Sequence, residues 1–235
     1  NEEIITVDSI IVTVINAFED AKTHTTIEKK LFSLGNKLHY ITKKNTIKKY
    51  LLFKERDNVS KTILIESERN LRRQAFFADA IIKLKIKSDQ FANVHITVFD
   101  QWSTAPILGI KRVGNNWTHR FGIRESNLLG TGQTISFSHY KNLSTEGNTF
   151  YYYNSSITKY KLKYQLRLAD NENGYFLSSL LYKPLISKYD KNSFKIHYTT
   201  YKYSLLYYLD GNILKNLLQE TFNLYEANSL IEFNN

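Results

Sequence analysis

The sequence predicts an α+β domain over residues 1–104, followed by an antiparallel β-barrel segment over residues 105–235. The first observation is a shift of composition near residue 105, because 15 of the 17 tyrosines and eight of the nine glycines follow it. The second is that segments with helical spacing occur before this point. The third is that two-residue alternation dominates after it, which is typical of strands with one apolar and one polar face.

The first half of residues 1–104 predicts a strand and two helices. Asp8–Ile15 is a continuous β-branched run and indicates a buried strand. Thr42 is a candidate N-cap for a first helix, and Ser60 is a candidate N-cap for a second. The apolar positions at helical spacing are Ile47, Tyr50 and Leu51 in the first helix and Ile63, Leu64, Leu71 and Ala75 in the second.

Two alternating segments complete this domain. Ile82, Leu84 and Ile86 alternate with lysines, and Val94, Ile96 and Val98 alternate in the next segment. The order strand, helix, helix, strand, strand predicts a β-α-α-β-β domain with helices on one face of a sheet. We expect Val94, Ile96 and Val98 to lie on an exposed sheet edge, where an extended partner strand can pair.

Asp100, Trp102 and Pro106 mark the predicted junction between the two parts. Two interpretations of Trp102 stay open. It either anchors the interface between the parts or simply packs at the end of a strand.

The second part predicts membrane-type strands and turns. Thr158–Leu168 alternates tyrosine and leucine with lysine, glutamine and arginine, as a strand of about 9–11 residues in a membrane barrel does. Asp170–Gly174 predicts a turn, and Asn192–Tyr203 a further strand that loses phase at Thr199. Residues 212–225 have helical spacing at some leucines, and this periodicity favours a helix over a strand.

A short glycine signature lies between two predicted strands. Gly130 and Gly132 have the spacing of a phosphate cradle, but Gln133 and Thr134 follow where a Walker loop needs Lys and Ser or Thr. An alternating β pattern follows as well, where a dinucleotide site needs a helix. The segment therefore predicts a turn in which glycine permits tight backbone geometry.

The sequence predicts neither an enzyme nor a cofactor protein. It has no cysteine, its six histidines form no metal motif, and no Gly-x-Ser-x-Gly elbow occurs. The net charge of +10 favours anionic partners such as lipid headgroups, lipopolysaccharide or nucleic acid. No basic and apolar leader opens the chain, so we expect a signal peptide to be absent or already removed.

Several segments, in order, carry a resemblance to a known family. The runs NKLHYITKKNTIKKYLLF, IESERNLRRQAFFADAIIKLKI and VHITVFDQWS resemble the last POTRA domain of the BamA/TamA-like outer-membrane assembly barrels, the surface-antigen superfamily. Arg56-Asp57 stands where Gly-Asp is usual in that family. The family's Glu-x-Asn-Leu-x-Gly-x-Gly signature joins its first two barrel strands, and it is matched here by Glu125, Asn127, Leu128, Gly130 and Gly132.

The resemblance implies a function without covalent chemistry. It implies an outer-membrane protein with a periplasmic POTRA-like domain that assists insertion or translocation of outer-membrane proteins or lipid-linked cargo by β-strand augmentation. The implied partners are unfolded outer-membrane protein clients, membrane lipid or lipopolysaccharide, and other assembly subunits, without nucleic acid. The resemblance also favours a strand over residues 212–225, which is the expectation we keep. Residues 105–235 supply about six to eight strands, so we expect either a fragment or a short member that closes a small barrel or completes one with other chains. Two alternatives remain: a soluble basic β-rich nucleic-acid-binding protein, and a passive structural or pore barrel.

Overall fold

The computed structural model divides the chain into two compact units. One unit comprises residues 1–104, Ser126–Gln133 and Ile186–Tyr189, and the other comprises the remaining residues. The residues that the structure describes are 4–16, 40–88, 90–143, 145–158, 161–186, 190, 192–204, 207–209, 212–214 and 219–231.

The first unit contains a four-stranded sheet and two helices. Its strand order is β2-β1-β4-β3, in which β1 runs parallel to β4 and the other neighbours are antiparallel. The elements are β1 (Ile4–Ile15), α1 (Lys44–Lys49), β2 (Asn58–Ser60), α2 (Lys61–Arg72), β3 (Phe77–Ser88) and β4 (Phe91–Asp100). The expected order of strand, helix, helix, strand and strand is present, with the short strand β2 added between the helices.

The core of this unit lies between the helices and one face of the sheet. Alternation along β4 places three side chains in it, and helical spacing adds one residue from each helix. These five side chains are completely buried: Ile47, Leu71, Val94, Ile96 and Val98. Ala75 was expected in the core but is exposed, because α2 ends at Arg72 and Ala75 lies beyond its last turn.

One of the two predicted N-cap positions is confirmed. Ser60 is the N-cap residue of α2, although its hydroxyl makes no capping hydrogen bond. Thr42 does not cap α1, because the N-cap position falls on Lys43. At Arg56, where the resemblance has glycine, the backbone adopts φ of 71°, the left-handed region that glycine enters at least cost.

The second unit contains an antiparallel sheet of eight strands in the order β14-β11-β10-β9-β8-β7-β6-β5. Its strands are β5 (Thr104–Val113), β6 (Asn116–Glu125), β7 (Gln133–Lys141), β8 (Glu146–Asn154), β9 (Lys163–Asn171), β10 (Gly174–Lys183), β11 (Asn192–Ser204) and β14 (Gln219–Ile231). A separate hairpin pairs β12 (Tyr207–Leu209) with β13 (Asn212–Leu214).

Several strand predictions are confirmed and others need correction. The described residues within 212–225 are strand, and the turn falls at Glu172–Asn173 as expected. The strand predicted from Thr158 begins only at Lys163, because Lys161 adopts φ of 59°, which an extended strand does not allow; residues 159 and 160 lie outside the described residues. β11 keeps its backbone register through Thr199 and Thr200, and the apolar alternation changes face there as predicted, because Tyr198 and Tyr201 lie on opposite faces.

The two faces of the large sheet differ in chemistry. Directly paired residues share a face, so register alone assigns them. One face is the more apolar in the middle of the strands and carries Tyr152, Leu166, Leu168, Leu177, Leu181, Ile196, Tyr198, Tyr225 and Ala227, together with Ser179 and Thr200. The other face carries the polar residues Gln165, Arg167, Ser178, Lys195, His197, Thr199 and Glu226, together with Tyr151, Leu180 and Leu224.

Polar side chains satisfy one another on the second face. Lys195 Nζ lies 2.7 Å from Glu226 Oε2, and Ser178 Oγ lies 2.9 Å from His197 Nε2. The Arg167 guanidinium lies 5.7 Å from the centroid of the Tyr151 ring. An apolar face backed by a hydrogen-bonded polar face is the arrangement that a membrane barrel strand requires.

Candidate functional site

The glycine signature lies in the first unit, except for Glu125, which lies in the large sheet. Glu125 is the last residue of β6, and the chain then enters the first unit at Ser126 and leaves it after Gln133. The signature therefore joins β6 to β7, which are the second and third strands of the sheet along the chain. We expected the signature to join the first two strands of the barrel segment. This expectation is wrong, because β5 precedes β6 in the chain.

Asn127 organises this turn from a buried position with 1% of its surface exposed. Its Nδ2 donates to Thr42 Oγ1 at 2.8 Å, and its Oδ1 accepts the Gly132 N–H at 2.8 Å. Its carbonyl accepts the Gly130 N–H at 2.8 Å. One side chain thus ties both ends of the turn to the segment that precedes α1.

Gly130 is held by the start of α1. Its carbonyl accepts the Lys43 N–H at 3.0 Å and the Thr46 hydroxyl at 2.9 Å. Its φ is 71°, and a Cβ atom here would lie 2.4 Å from the Ile41 carbonyl oxygen. Only glycine fits this backbone conformation and this close approach without displacement.

Gly132 lies against the aromatic part of the core. Its φ is 70°, and an added Cβ would lie 2.7 Å from Tyr50 Oη and 3.0 Å from Phe76 Cζ. The rings of Tyr50 and Phe76 themselves pack with centroids 5.9 Å apart. Leu128, the remaining signature residue, is half-buried at the start of a single 3-10 turn, Leu128–Gly130.

The predicted junction residues occupy three different environments. Asp100 ends β4, is 2% exposed, and its Oδ2 accepts the Thr42 N–H at 2.7 Å. Trp102 is 41% exposed, and its indole N–H donates to the Thr104 carbonyl. Pro106 lies within β5, an end strand, rather than in a linker; proline is tolerated in an end strand because it lacks only an outward N–H.

Sequence reasoning missed Thr42 as the centre of this cluster. Its N–H and its hydroxyl bind two residues that are 58 and 85 positions away, Asp100 and Asn127. A helix-capping pattern at Thr42 was the only local signal, and it pointed to a different role. Nothing in the sequence indicates a contact over this distance.

The predicted client edge is wrong in its location. β4 lies between β1 and β3, and Val94, Ile96 and Val98 are completely buried in the core. The end strand on this side of the sheet is β3, with twelve residues. Alternation alone could not distinguish the two strands, because both are apolar at every second position.

The described residues contain no group of three His, Asp or Glu side chains that could hold a metal ion. Neither helix in the described ranges is long and apolar enough to cross a membrane.

Comparisons with known proteins bear on the fold. No family model and no curated protein matches the sequence. Among solved structures, the chain is similar to BamA from Haemophilus ducreyi lacking POTRA domains 1–3, with a TM-score of 0.55 and 13% identity over 96% of this chain and 43% of that one. It is also similar to CdiB from Acinetobacter baumannii, with a TM-score of 0.57 and 12% identity over 97% of this chain and 42% of that one.

These similarities define the class of protein by its fold. The eight-stranded antiparallel sheet is of the BamA- and CdiB-like barrel type. The chain spans less than half the length of either solved structure.

Proposed function

We propose that the chain is part of an outer-membrane barrel protein that assists insertion or translocation of outer-membrane proteins or lipid-linked cargo. The observation that carries the proposal is the eight-stranded antiparallel sheet, in which hydrogen-bonded polar side chains lie on one face. The similarity to BamA and CdiB supports the same interpretation. The first unit is then a periplasmic POTRA-like domain, and its helices on one face of a small sheet support that assignment.

The mechanism we propose is pairing of strands, without covalent chemistry. An end strand offers unpaired backbone N–H and C=O groups to an extended client. The end strands are β2 and β3 in the first unit and β5 and β14 in the second, and we propose β3 and β5 as the pairing edges. β5 also presents Leu108 and Ile110, each 78% exposed, to which apolar client side chains can pack.

Fractionation tests the membrane part of this proposal. We expect the chain, expressed with an export signal, to sediment with outer membranes and to migrate differently on gels with and without heating. A folded chain recovered entirely without detergent in the soluble fraction contradicts the membrane proposal.

Crosslinking tests the assembly part. We expect a photoreactive residue at Leu108 in β5 to capture a co-expressed unfolded outer-membrane protein. The matched control is the same residue at Leu168, which lies within β9 in the interior of the sheet. Membrane insertion with no capture at Leu108 would support the barrel and contradict the role in assembly.

A further inference from the structure

Three side chains on the second, more polar face of the large sheet line up as a serine, a histidine and a carboxylate. Ser178 Oγ lies 2.9 Å from His197 Nε2. His197 Nδ1, on the other side of the ring, lies 3.6 Å from Glu226 Oε2. We call Ser178, His197 and Glu226 the triad. A nucleophile, a base and a carboxylate in this order are the components of a hydrolytic site, which is recognised by geometry rather than by sequence position.

The register of three adjacent strands brings the triad together. Glu226 on β14 is the direct cross-strand neighbour of His197 on β11. Ser178 on β10 is the neighbour of Thr199, which lies two residues from His197 on the same face. Directly and diagonally paired side chains on one face of a sheet lie within reach of each other. Segments that are separate in sequence therefore supply the three groups, and no short motif marks them.

The two contacts of His197 determine which ring nitrogen carries the proton. A carboxylate only accepts hydrogen bonds, so the Nδ1 atom that faces Glu226 carries the proton. Nε2 is then an acceptor and can receive the proton of the Ser178 hydroxyl. The separation of 3.6 Å from Glu226 is longer than a hydrogen bond, and such contacts often shorten when a substrate binds.

Glu226 is held through both oxygens of its carboxylate. Lys195 Nζ lies 2.7 Å from Oε2, and Asn228 Nδ2 donates to Oε1 at 2.6 Å. A fixed carboxylate beside Nδ1 sets the orientation of the imidazole, which is the role of the acid in a triad. Glu226 is therefore a positioning residue.

The surroundings of Ser178 supply a cation and apolar side chains. Arg167 is its direct cross-strand neighbour on β9 and is exposed on the same face. A guanidinium here can stabilise the negative oxygen that forms when a carbonyl is attacked. Phe176 and Leu180 lie two residues to either side of Ser178 and share its face, and Phe176 is 37% exposed. These neighbours favour a substrate with an apolar acyl group.

We propose that the large sheet carries a hydrolytic site for carboxylic esters with an apolar acyl chain, in which Ser178 is the nucleophile and His197 the general base. His197 Nε2 takes the hydroxyl proton as Ser178 Oγ bonds to the carbonyl carbon, and the negative carbonyl oxygen forms beside Arg167. The C–O bond to the alcohol then breaks, and the alcohol leaves with the proton from His197. Water attacks the acyl-serine in the same way, which releases the carboxylic acid and restores Ser178.

Thr199 lies close to the same imidazole nitrogen. Its Oγ1 is 3.0 Å from His197 Nε2 and 3.4 Å from Ser178 Oγ. Ser178 is the better nucleophile of the two, because its hydroxyl is primary and has no methyl group beside the reacting oxygen. Thr199 donates to the serine oxygen instead, and Thr199→Val should therefore still form the acyl-serine at Ser178.

This activity goes beyond the proposed role in assembly and does not rest on it. It uses one face of the large sheet rather than the edges of β3 and β5. The interior of a membrane barrel is polar, so the water that hydrolysis consumes is present on this face.

A fluorescent fluorophosphonate tests the nucleophile, because it bonds covalently to serines that a neighbouring base activates. We expect the whole chain in detergent to be labelled, and mass spectrometry of its peptides to place the label on Ser178. Ser178→Ala should abolish labelling. The matched control is Ser138→Ala, which removes a hydroxyl that lies 2.7 Å from Thr149 Oγ1, and it should leave labelling unchanged. No label on the wild-type chain, or a label on Thr199 or any other residue instead, overturns the proposal.

Hydrolysis of p-nitrophenyl butyrate tests the other two members of the triad. We expect His197→Gln to lower the rate at least about 100-fold, which is typical for loss of a general base. Glu226→Gln should lower kcat at least about tenfold with little change in KM, because it removes the carboxylate that keeps the proton on Nδ1. Glu172→Gln, in the turn between β9 and β10, should retain the wild-type rate. Wild-type rates in His197→Gln, or equal losses in Glu226→Gln and Glu172→Gln, contradict the triad.

The failure of this inference and that of the proposed function can be told apart. A chain that enters membranes and captures clients at Leu108, but takes no label at Ser178, retains the proposed function and loses the inference. A chain that is labelled at Ser178 and hydrolyses the ester, but captures no client, retains the inference and loses the role in assembly.

Discussion

At the scale of single residues, the signature glycines are required for two separable reasons. Gly132 combines positive φ with close contact to Tyr50 and Phe76. Gly114 also has positive φ, of 62°, but a Cβ added there would have no atom within 4 Å. A comparison of substitutions at Gly132 and Gly114 therefore separates the free energy lost to backbone strain from the free energy lost to steric contact.

We expect Gly132→Ala to destabilise the first unit by about 2–4 kcal/mol, from left-handed strain and overpacking together. Gly114→Ala should cost only the strain, about 1 kcal/mol. Urea unfolding measures both, with Trp102 as the reporter for Gly132 and Trp117 for Gly114, each in a background where the other tryptophan is phenylalanine. Similar losses in the two variants would contradict the contact with Tyr50 and Phe76.

We expect Asp79 to make the first unit sensitive to acid, because its carboxylate accepts hydrogen bonds from Arg72 and from the Ala80 N–H. The hydrogen bond from the Ala80 N–H, and then the hydrogen bond and charge of Arg72, hold the pKa of Asp79 below its ordinary value. A lowered pKa in the folded state means that the stabilisation is present above the ordinary value of about 3.9 and is lost as pH falls through the folded value. We expect the unfolding free energy of wild type to fall more steeply below pH 4 than that of Asp79→Asn. Parallel pH profiles would show that Asp79 gains nothing from its partners.

At the scale of elements, the alternation along β9 specifies two environments. Leu166 lies on the face shared with Tyr152, and Gln165 lies on the face shared with Tyr153. In a membrane barrel the first face contacts acyl chains and the second does not.

We expect Trp at position 166 to be quenched by brominated acyl chains after reconstitution into vesicles, and Trp at position 165 to be quenched far less. The variants are Leu166→Trp and Gln165→Trp in a chain whose own tryptophans are replaced by phenylalanine. Stronger quenching at 165 would invert the assignment of the faces, and equal quenching would argue against a bilayer on either side.

Tyrosines of the same strand lie on different faces of the large sheet. Tyr201 stacks on Phe222 with ring centroids 5.1 Å apart, on the same face as His197. Tyr198 and Tyr225, 5.0 Å apart, lie on the apolar face instead. A count of tyrosines cannot make this distinction, whereas the register of paired strands does.

At the scale of the whole molecule, the first unit is discontinuous in sequence. It includes Ser126–Gln133, which supplies Asn127 to Thr42 and Gly130 to Lys43 and Thr46. A domain defined only by its first 104 residues therefore lacks partners for buried polar groups, and such groups are costly to leave unsatisfied.

We expect residues 1–104 expressed alone to be less stable than the same unit within the full chain. A synthetic peptide covering Ser126–Gln133 should raise the urea midpoint of this fragment in proportion to its concentration. The same peptide with Asn127→Ala should have much less effect. A fragment that is fully stable without the peptide would show that the turn adds nothing to the unit.

The sequence by itself determined the features that depend on local periodicity. Alternation predicted β3, β4 and β11 and the two faces of β9, and helical spacing predicted the buried side chains of Leu64 and Leu71. These predictions succeed because a side chain's direction within a strand or helix follows from backbone geometry alone.

Only the tertiary structure decided which strand ends a sheet and what the glycine signature contacts. β3 and β4 have the same alternation, and strand order depends on contacts such as the parallel pairing of β1 with β4, which are distant in sequence. Thr42 likewise has the local pattern of a helix cap. In the fold it instead hydrogen-bonds to Asp100 and Asn127, which are distant in sequence. The physical reason is that local periodicity reports which face is buried, whereas edges and polar clusters are set by packing between segments that share no local pattern.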